Sequence, residues 1–154
     1  TATVHLEGGD IQVIAINNHF LALSAGEAAT EPTRNAQAAW NAQLAAQFQA
    51  NFPDAYVIVM GDLNSFYGTL PLETLGNELT HVYDLLDGSL PYTYIFEGRT
   101  QALDHMLISG NLVNQVQIVT VLHLNTPYPI AAPGDSSPRH SSDHDPLVVI
   151  FDFE

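Results

Sequence analysis

Cysteine is absent from the 154 residues of the sequence. Its absence excludes a disulfide framework, thiolate zinc sites and cysteine nucleophiles. Basic residues are also scarce, because Lys and Arg together number 3 against 17 Asp and Glu, for a formal net charge of −14. This balance excludes the basic surface by which proteins hold nucleic acid without sequence preference. A polyanionic substrate would therefore need divalent cations to be tolerated.

Long apolar runs are missing as well. Hydrophobic residues make up 46% of the chain, but no run approaches the roughly 20 residues of a membrane-spanning helix. We expect one globular domain without a membrane span. The opening segment TATVHLEGGD has no basic stretch followed by an apolar one, so it does not form a signal peptide. Its residues ATVHLE resemble a β-strand that begins at the first positions of the sequence, which is typical of a processed product or a fragment.

The order of β-rich and helical segments predicts a mixed α and β chain. Strands are expected at residues 3–7, 11–20, 56–60, 117–124 and 147–153, with the first two joined by a turn at Gly8 and Gly9. The segments YTYIF and ALDHMLIS are expected to pair with each other across the turn EGRTQ. Helical spacing predicts a long helix over 34–52, after the polar loop SAGEAATEPTR, and short helices near Pro71 and in HVYDLL. Composition predicts a loop over 125–142.

Polar residues lie where three of these strands begin or end. Asn18 and His19 come at the end of one strand, and Asp62 and Asn64 directly follow another. The third cluster is the segment DHDP, which runs straight into the last apolar strand. Taken alone, each cluster has an ordinary structural explanation as a turn or a cap. Their shared architectural position favours a common function.

Asp104 lies inside the apolar strand ALDHMLIS, where an unpaired carboxylate would be costly. A histidine is its natural partner, because a carboxylate that holds one imidazole nitrogen leaves the other free for chemistry. Asp62 and Asp143 supply hard oxygen ligands suited to Mg²⁺, Mn²⁺ or Ca²⁺, and Asn64 adds an amide. The alternative is that Asp104 has only a structural role, as a buried carboxylate whose hydrogen bonds are satisfied.

The segments VIVMGDLNS, ALDHMLIS and SSDHDPLVVIF, with INNHF upstream, resemble the endonuclease/exonuclease/phosphatase superfamily and its deoxyribonuclease I-like fold. YTYIFEGRTQALDHMLIS, followed by VLHLN, is similar to the secreted bacterial nuclease branch. The resemblance implies an α+β fold in which residues 1–154 form the C-terminal half of a four-layer α/β/β/α sandwich. We expect one mostly antiparallel sheet with helices on its outer face. The N-terminal half would be absent, so either that half or a second copy would have to cover the inner face.

The resemblance also implies metal-dependent cleavage of phosphate esters by an in-line water, with Mg²⁺ or Mn²⁺, or alternatively Ca²⁺, as cofactor. His144 would be the catalytic histidine, and Asp104 would orient it. Asp143 would bind the metal, while Asp62 and Asn64 would position the water and the phosphate and contribute to the metal site. His19 would contact the scissile phosphate.

Two departures from the family pattern concern the metal and the phosphate. The family's principal metal ligand is a glutamate in the N-terminal half, so the metal site in this sequence is expected to be incomplete. The secreted branch has lysines shortly after the histidine, whereas FLAL follows here. Asn18 and Arg34 are therefore the expected phosphate contacts, with Arg34 the only nearby cation.

The sequence thus predicts a nuclease-like phosphodiesterase, or its C-terminal fragment, acting on nucleic acid or another phosphodiester. Three alternatives stay open: a non-catalytic binding module of the same fold, a phosphomonoesterase, and a lipid phosphodiesterase. An extracellular or periplasmic location is expected from the resemblance to the secreted branch.

Overall fold

The structure is a computed structural model that describes residues 1–88, 90–130 and 132–153. In the part of the chain that it describes, strands and helices alternate as the sequence predicts. The strands are β1 (Ala2–Leu6), β2 (Gly9–His19), β3 (Tyr56–Asp62), β4 (Thr80–His81), β5 (Tyr94–Phe96), β6 (Arg99–Gln101), β7 (Asp104–Ile108), β8 (Val116–Val121) and β9 (Leu147–Phe151). The helices are α1 (Glu27–Asn51) and α2 (Leu70–Gly76), with 3₁₀ turns at Leu23–Ala25, Val82–Leu85 and Gly110–Gln115. None of the helices described is long and apolar enough to cross a membrane.

A five-stranded sheet in the order β1-β2-β3-β7-β4 forms the centre of the fold. Only β2 and β3 run parallel, and the other three neighbouring pairs are antiparallel. Two ribbons, β5–β6 and β8–β9, lie outside this sheet. The expected mostly antiparallel sheet is confirmed.

Helices α1 and α2 cover the outer face of the sheet. Alternate side chains of β3, Val57 and Val59, point into a core that contains Ala38, Ala42 and Ala45 of α1. These alanines follow the spacing of one helical face, and their small side chains let the helix approach the sheet closely. The helices therefore lie where the sequence predicts.

The inner face of the sheet is covered in part by the β8–β9 ribbon. Ile58 and Met60 of β3 belong to a second core that includes Val119, Val149 and Phe151 of the ribbon. The expectation that this chain leaves its inner face bare is therefore wrong in part. The physical reason is that the strands at 117–124 and 147–153, expected in the main sheet, pair with each other and start a second layer.

The other side of the ribbon remains open. Ile118 and Ile150 are cross-strand partners in its register, and they are 44% and 43% exposed. Both alternate with residues that pack inward, so they point away from the central sheet. The second layer thus presents an apolar outer row to solvent.

Helix α1 begins at Glu27, although the sequence predicts a loop up to residue 34. The hydroxyl of Thr30 donates to the Gly26 carbonyl, and the Arg34 guanidinium donates to Thr30 and to the Glu27 carbonyl. These bonds support the first turns despite Pro32, which lacks an N–H group. Composition alone does not show this support.

Strand β5 pairs with β6, and not with the segment ALDHMLIS as the sequence predicts. The cause is a two-residue turn in which Glu97 and Gly98 both have positive φ, 48° and 75°, the backbone that closes a tight hairpin. The segment thereby released forms β7 and pairs with β3.

In the first hairpin Leu6 pairs with Gly9, which moves the turn to Glu7 and Gly8. Ala131, in the expected loop over 125–142, lies outside the described residues.

Candidate active site

A row of polar side chains crosses the end of the central sheet. His19 of β2 is in register with Asp62 of β3, which is in register with Asp104 of β7. Residues in register project from the same face, and the next row on that face contains the apolar pair Met60 and Met106. Strand pairing alone therefore brings these three chemistry-bearing residues together.

Gly61 allows β2 and β3 to approach at this point. Its φ is +128°, and a Cβ added to it would lie 2.0 Å from the Asn18 carbonyl oxygen. Real Cβ atoms do not come that close to a backbone oxygen, so another residue would push the two strands apart. Gly61 thus fixes the separation between His19 and Asp62.

His144 completes the row from the loop before β9. Its Nδ1 is 2.6 Å from Asp104 Oδ2, a short charge-assisted hydrogen bond. The bond leaves Nε2 on the side of Asp62, 4.0 Å from Oδ2. His19 Nε2 lies 3.5 Å from the same oxygen. The structure thus brings the predicted residues His144, Asp104, Asp62 and His19 into one site.

Tyr94 holds the other side of His144. The two rings stack with centroids 4.5 Å apart and planes 27° apart, and the two backbones form an isolated antiparallel bridge. One residue along, the Asp145 N–H donates to the Thr93 carbonyl at 2.7 Å. The imidazole is therefore fixed by a carboxylate at one edge and an aromatic ring on one face.

The site shifts the proton affinity of two of its members. The hydrogen bond from Asp104 raises the pKa of His144, against the opposing effect of burial, and the negative charges of Asp104, Asp62 and Asp143 add to the rise. Burial raises the pKa of Asp62, and the charge of Asp104 adds to it, against the opposing effect of the Asn64 N–H and the two histidines. His144 keeps its proton to a higher pH than usual, and Asp62 is a stronger base than an ordinary carboxylate.

Asn64 supports the site through two hydrogen bonds, one to Asp62 and one to the end of β2. It is buried and has a positive φ of 45°. Its backbone N–H donates to Asp62 Oδ1 at 2.9 Å, and its side-chain amide donates to the Phe20 carbonyl at 3.1 Å. Asn64 thus orients Asp62 and ties β3 to the end of β2.

Two of the predicted phosphate contacts do not reach the site. Arg34 is only 2% exposed, and its guanidinium donates to the Leu21 carbonyl and to residues of its own helix. Asn18 lies on the opposite face of β2 from His19, as strand alternation requires, and its side-chain amide donates to the Ile16 carbonyl. The structure therefore places neither side chain where a phosphate beside His144 could meet it.

Asp145 is the member of the DHD segment for which the sequence suggests no separate role. It is 2% exposed and accepts hydrogen bonds from the backbone of Asn125 and Thr126 and from the His123 ring. These bonds fasten the segment that carries His144 to the far end of the long loop. A signal was present in the sequence, since a second aspartate directly before an apolar strand requires buried partners.

Two buried histidines lie behind the site and were not predicted. His105, on the outer face of β7, is hydrogen bonded through Nδ1 to His81 Nε2 at 3.0 Å and through Nε2 to the Ser65 carbonyl at 2.8 Å. The Tyr83 N–H donates to His81 Nδ1. Burial lowers the pKa of His81 to about 3 and that of His105 to about 4, so both rings are neutral at physiological pH. Through the bond from His105 to the Ser65 carbonyl, the two histidines hold the segment that follows Asn64.

A cavity of about 860 Å³ opens in front of the row. His19, Asp62, Asp104, Asp143 and His144 line one side of it. The lining also includes the apolar or aromatic residues Leu23, Phe66, Tyr94 and Phe96, of which Tyr94 directly adjoins His144. The cavity can therefore admit a ligand that combines a polar reacting group with a flat or apolar part.

The predicted metal ligands do not form a closed metal site in the described part of the chain. There, no group of three or more His, Cys, Asp or Glu side chains is arranged to hold a metal ion. Asp143 is exposed and lines the cavity, and Asp62 accepts a hydrogen bond from the Asn64 N–H through one of its two oxygens. Asp62 and Asp143 offer carboxylate oxygens, and waters, substrate oxygens or further residues would have to complete the six ligands of Mg²⁺.

Comparison of the sequence with protein-family models and with curated proteins gives no match. Comparison of the structure gives several. A truncated TDP2 of Caenorhabditis elegans aligns with TM-score 0.68 and 18% identity over 99% of this chain and 64% of its own. The 3′ phosphatase NExo from Neisseria, bound to a product DNA hairpin, aligns with TM-score 0.59 and 14% identity over 98% of this chain and 64% of its own. An endonuclease/exonuclease/phosphatase family protein from Bacteroides thetaiotaomicron aligns with TM-score 0.57 and 17% identity over 96% and 52%.

These alignments identify the fold. The chain has the α+β fold of the endonuclease/exonuclease/phosphatase proteins, as the sequence motifs predict. It spans between 51% and 64% of the length of these and the other similar structures. At these identities the likeness is one of fold, and a shared fold does not by itself define an activity.

Proposed function

We propose that this chain is the histidine-bearing part of a hydrolase that cleaves phosphodiesters. One observation carries the proposal: His144 is bonded to Asp104 at 2.6 Å and turns its second nitrogen toward Asp62 at the edge of an open cavity. An oriented imidazole beside a carboxylate of raised pKa is the arrangement that general acid–base catalysis needs. The shared fold of the structural neighbours supports a phosphate ester as the substrate.

The residues can divide the work of hydrolysis among them. Asp62, with its raised pKa, accepts a proton from the attacking water as the new P–O bond forms, the P–O bond to the leaving oxygen breaks, and that oxygen takes its proton from solvent. His144 carries positive charge to a higher pH than usual because Asp104 holds it, and it stabilises the negative charge on the five-coordinate phosphorus. His19, with its side chain 74% exposed, can hydrogen bond to a phosphate oxygen from the other edge of the site.

We propose that turnover requires Mg²⁺ or Mn²⁺. The net charge of −14, with only 3 basic residues, supports this requirement, since a phosphate would otherwise be repelled. Asp143 would contribute a ligand, and further ligands would come from outside the described residues, which leaves Asp62 free to act as the base. The chain alone is therefore expected to bind the ion weakly.

We propose that the rest of the fold is supplied by an N-terminal half. The exposed outer row of Ile118 and Ile150 supports the proposal, because a paired apolar row of this kind is normally covered. A second copy of the chain is the alternative.

An extracellular or periplasmic location remains a proposal that rests on the motifs shared with the secreted nuclease branch.

The test is hydrolysis of a fluorescent DNA oligonucleotide and of p-nitrophenyl phosphate, with Mg²⁺, with Mn²⁺ and with a chelator. We expect metal-dependent cleavage of the oligonucleotide that is slow with this chain alone, faster after addition of the proposed N-terminal half, and abolished by His144→Asn. His5→Asn is the matched control, because His5 forms a similarly short pair with Asp10, 2.7 Å, on the exposed first hairpin. Hydrolysis of the monoester alone would indicate a phosphomonoesterase.

A non-catalytic binding module is the second candidate, and the incomplete metal site favours it. It predicts no turnover of either substrate under any condition, in the full chain and after addition of the proposed N-terminal half. It also predicts that His144→Asn leaves ligand affinity unchanged.

A further inference from the structure

Three rings form a continuous series that begins at the catalytic imidazole. His144 stacks on Tyr94 with centroids 4.5 Å apart, and Tyr94 lies 6.4 Å from Phe96 with their planes only 17° apart. Tyr94 and Phe96 occupy alternate positions of β5 and so share one face of the strand. The series leads outward from the proposed scissile phosphate along one wall of the cavity.

The outer ring of this series is exposed although it is apolar. Phe96 is 52% exposed and lines the cavity. It is held at a fixed position, because the Glu97–Gly98 turn closes the hairpin directly after it. A rigid, exposed aromatic ring at the mouth of a cavity is suited to stacking on a flat group of a ligand.

Arg99 supplies a positive charge beside this ring. It is the cross-strand partner of Phe96, so both side chains leave the ribbon on the same face. The chain has three arginines and lysines in total, of which Arg34 is buried and Arg139 stacks on the ring of Tyr128. Arg99 is therefore the cation placed to meet a second phosphate next to the cavity.

This combination restricts the substrate class. Double-stranded nucleic acid is held through many phosphate contacts, for which the described residues offer few cations, namely Arg99 beside the cavity and the protonated His144 within it. An unpaired nucleotide needs fewer phosphate contacts than a duplex, because its exposed base can stack on an aromatic ring. A choline headgroup also binds aromatic faces, through a cation–π contact, but Arg99 beside Phe96 repels a cation there and favours the phosphate of a nucleotide.

We propose that the Tyr94–Phe96 wall binds an unpaired nucleobase next to the scissile phosphate, and that Arg99 contacts the neighbouring phosphate. The substrate is then a single strand or an unpaired end of nucleic acid. This inference rests on the proposed phosphodiesterase function and names the substrate of the same site.

The first experiment compares three DNA substrates in the presence of Mg²⁺: a single-stranded oligonucleotide, the same strand in a duplex, and the same strand with one abasic position. We expect the single strand to be preferred. Phe96→Ala should raise its KM about tenfold, the effect of losing one stacking contact, and should change kcat little. Phe96→Trp should restore the KM. The abasic strand should already show the higher KM, and Phe96→Ala should not raise it further.

Phe52→Ala is the matched control, because Phe52 is an exposed phenylalanine at the end of α1, outside the residues that line the cavity. It should leave every substrate unaffected. Arg99→Gln should raise the KM of the normal and the abasic strands equally and reduce the salt dependence of binding by about one unit of slope.

Binding by fluorescence anisotropy, with the same single-stranded and abasic probes, separates the two proposals. Absence of turnover, also after addition of the proposed N-terminal half, together with Phe96-dependent and base-dependent binding would overturn the proposed function and keep this inference. Turnover of all three DNA substrates without any effect of Phe96→Ala would keep the function and overturn the inference. Hydrolysis of sphingomyelin–phosphatidylcholine vesicles that Phe96→Ala abolishes, with DNA untouched, would also overturn it and assign the ring to lipid contact.

Discussion

His144 and Asp104 meet at 2.6 Å although 40 positions separate them in the chain. Asp104 comes from the first residue of a central strand, and His144 comes from a loop that Tyr94 and the buried Asp145 fasten in place. Because the carboxylate occupies Nδ1, only Nε2 faces the cavity. The central sheet and the loop together orient His144 Nε2 toward the cavity.

The pH dependence of activity follows from two raised pKa values. The Asp104 hydrogen bond raises the pKa of His144 above 6.5, and burial raises that of Asp62 above 3.8. Since the proposed chemistry needs ionised Asp62 and protonated His144, the rate should rise as the pH passes the raised pKa of Asp62. It should fall as the pH passes the raised pKa of His144.

Asp104→Asn removes the main cause of the raised pKa of His144 and one cause of that of Asp62. Both limbs of the pH–rate profile should therefore move to lower pH. Profiles of kcat/KM for the two proteins measure this shift. An unchanged alkaline limb in the variant would show that His144 does not titrate in that limb.

Gly61→Ala should be strongly destabilising. The added Cβ would lie 2.0 Å from the Asn18 carbonyl oxygen, in a backbone conformation that alanine rarely adopts. We expect a loss of more than about 3 kcal/mol in the free energy of unfolding, measured by urea denaturation. Gly76→Ala is the control, since nothing lies within 4 Å of its added Cβ. Equal stability of the two variants would contradict the close approach of β2 and β3.

The buried histidine pair should make the fold sensitive to acid. His81 and His105 have pKa values lowered to about 3 and about 4 by burial, from 6.5. The unfolded chain therefore binds more protons than the folded one below pH 6.5, and stability is lost as the pH falls toward 4. Each proton changes the free energy of unfolding by about 1.4 kcal/mol per pH unit.

Thermal unfolding between pH 7 and pH 4 measures this loss. His105→Phe combined with His81→Phe should flatten the slope, whatever the stability at pH 7. A double variant with the original slope would show that other groups cause the acid sensitivity.

The chain by itself should self-associate and bind Mg²⁺ weakly. Ile118 and Ile150 form an exposed apolar pair on the second layer, and the described residues offer no complete ligand group. We expect dimers or larger species in light scattering and a dissociation constant for Mg²⁺ of about 1 mM or weaker in a titration. Ile118→Asp should reduce the association. A monomer with tight metal binding would contradict the proposed N-terminal half.

Much of the site could be predicted because it follows from strand geometry. Polar residues at strand ends predict one shared edge, and register then sets His19 beside Asp62 and Asp62 beside Asp104. The cost of an unpaired carboxylate in an apolar strand predicts a histidine partner for Asp104, and the resemblance to the endonuclease/exonuclease/phosphatase superfamily is what singles out His144.

Other parts depend on tertiary contacts that a single sequence does not reveal. Arg34 was expected at the phosphate because cations are scarce, but its place on the inner side of α1 buries it. The Glu97–Gly98 turn redirects a strand through two positive φ angles that neither residue type requires. Tyr94 and Phe96 look like ordinary strand residues until the fold sets one against His144 and leaves the other at the cavity mouth.

A double-mutant cycle on cleavage of single-stranded DNA tests the central claim most directly. If Asp104 acts only by orienting and charging His144, His144→Asn should lower kcat about 10²- to 10⁴-fold, and Asp104→Asn should add no further loss to it. We predict that the double variant is as slow as His144→Asn alone, with circular dichroism unchanged in all three. Losses that multiply in the double variant would show that the two residues act independently, and full activity of His144→Asn would show that this histidine is not part of the catalytic machinery.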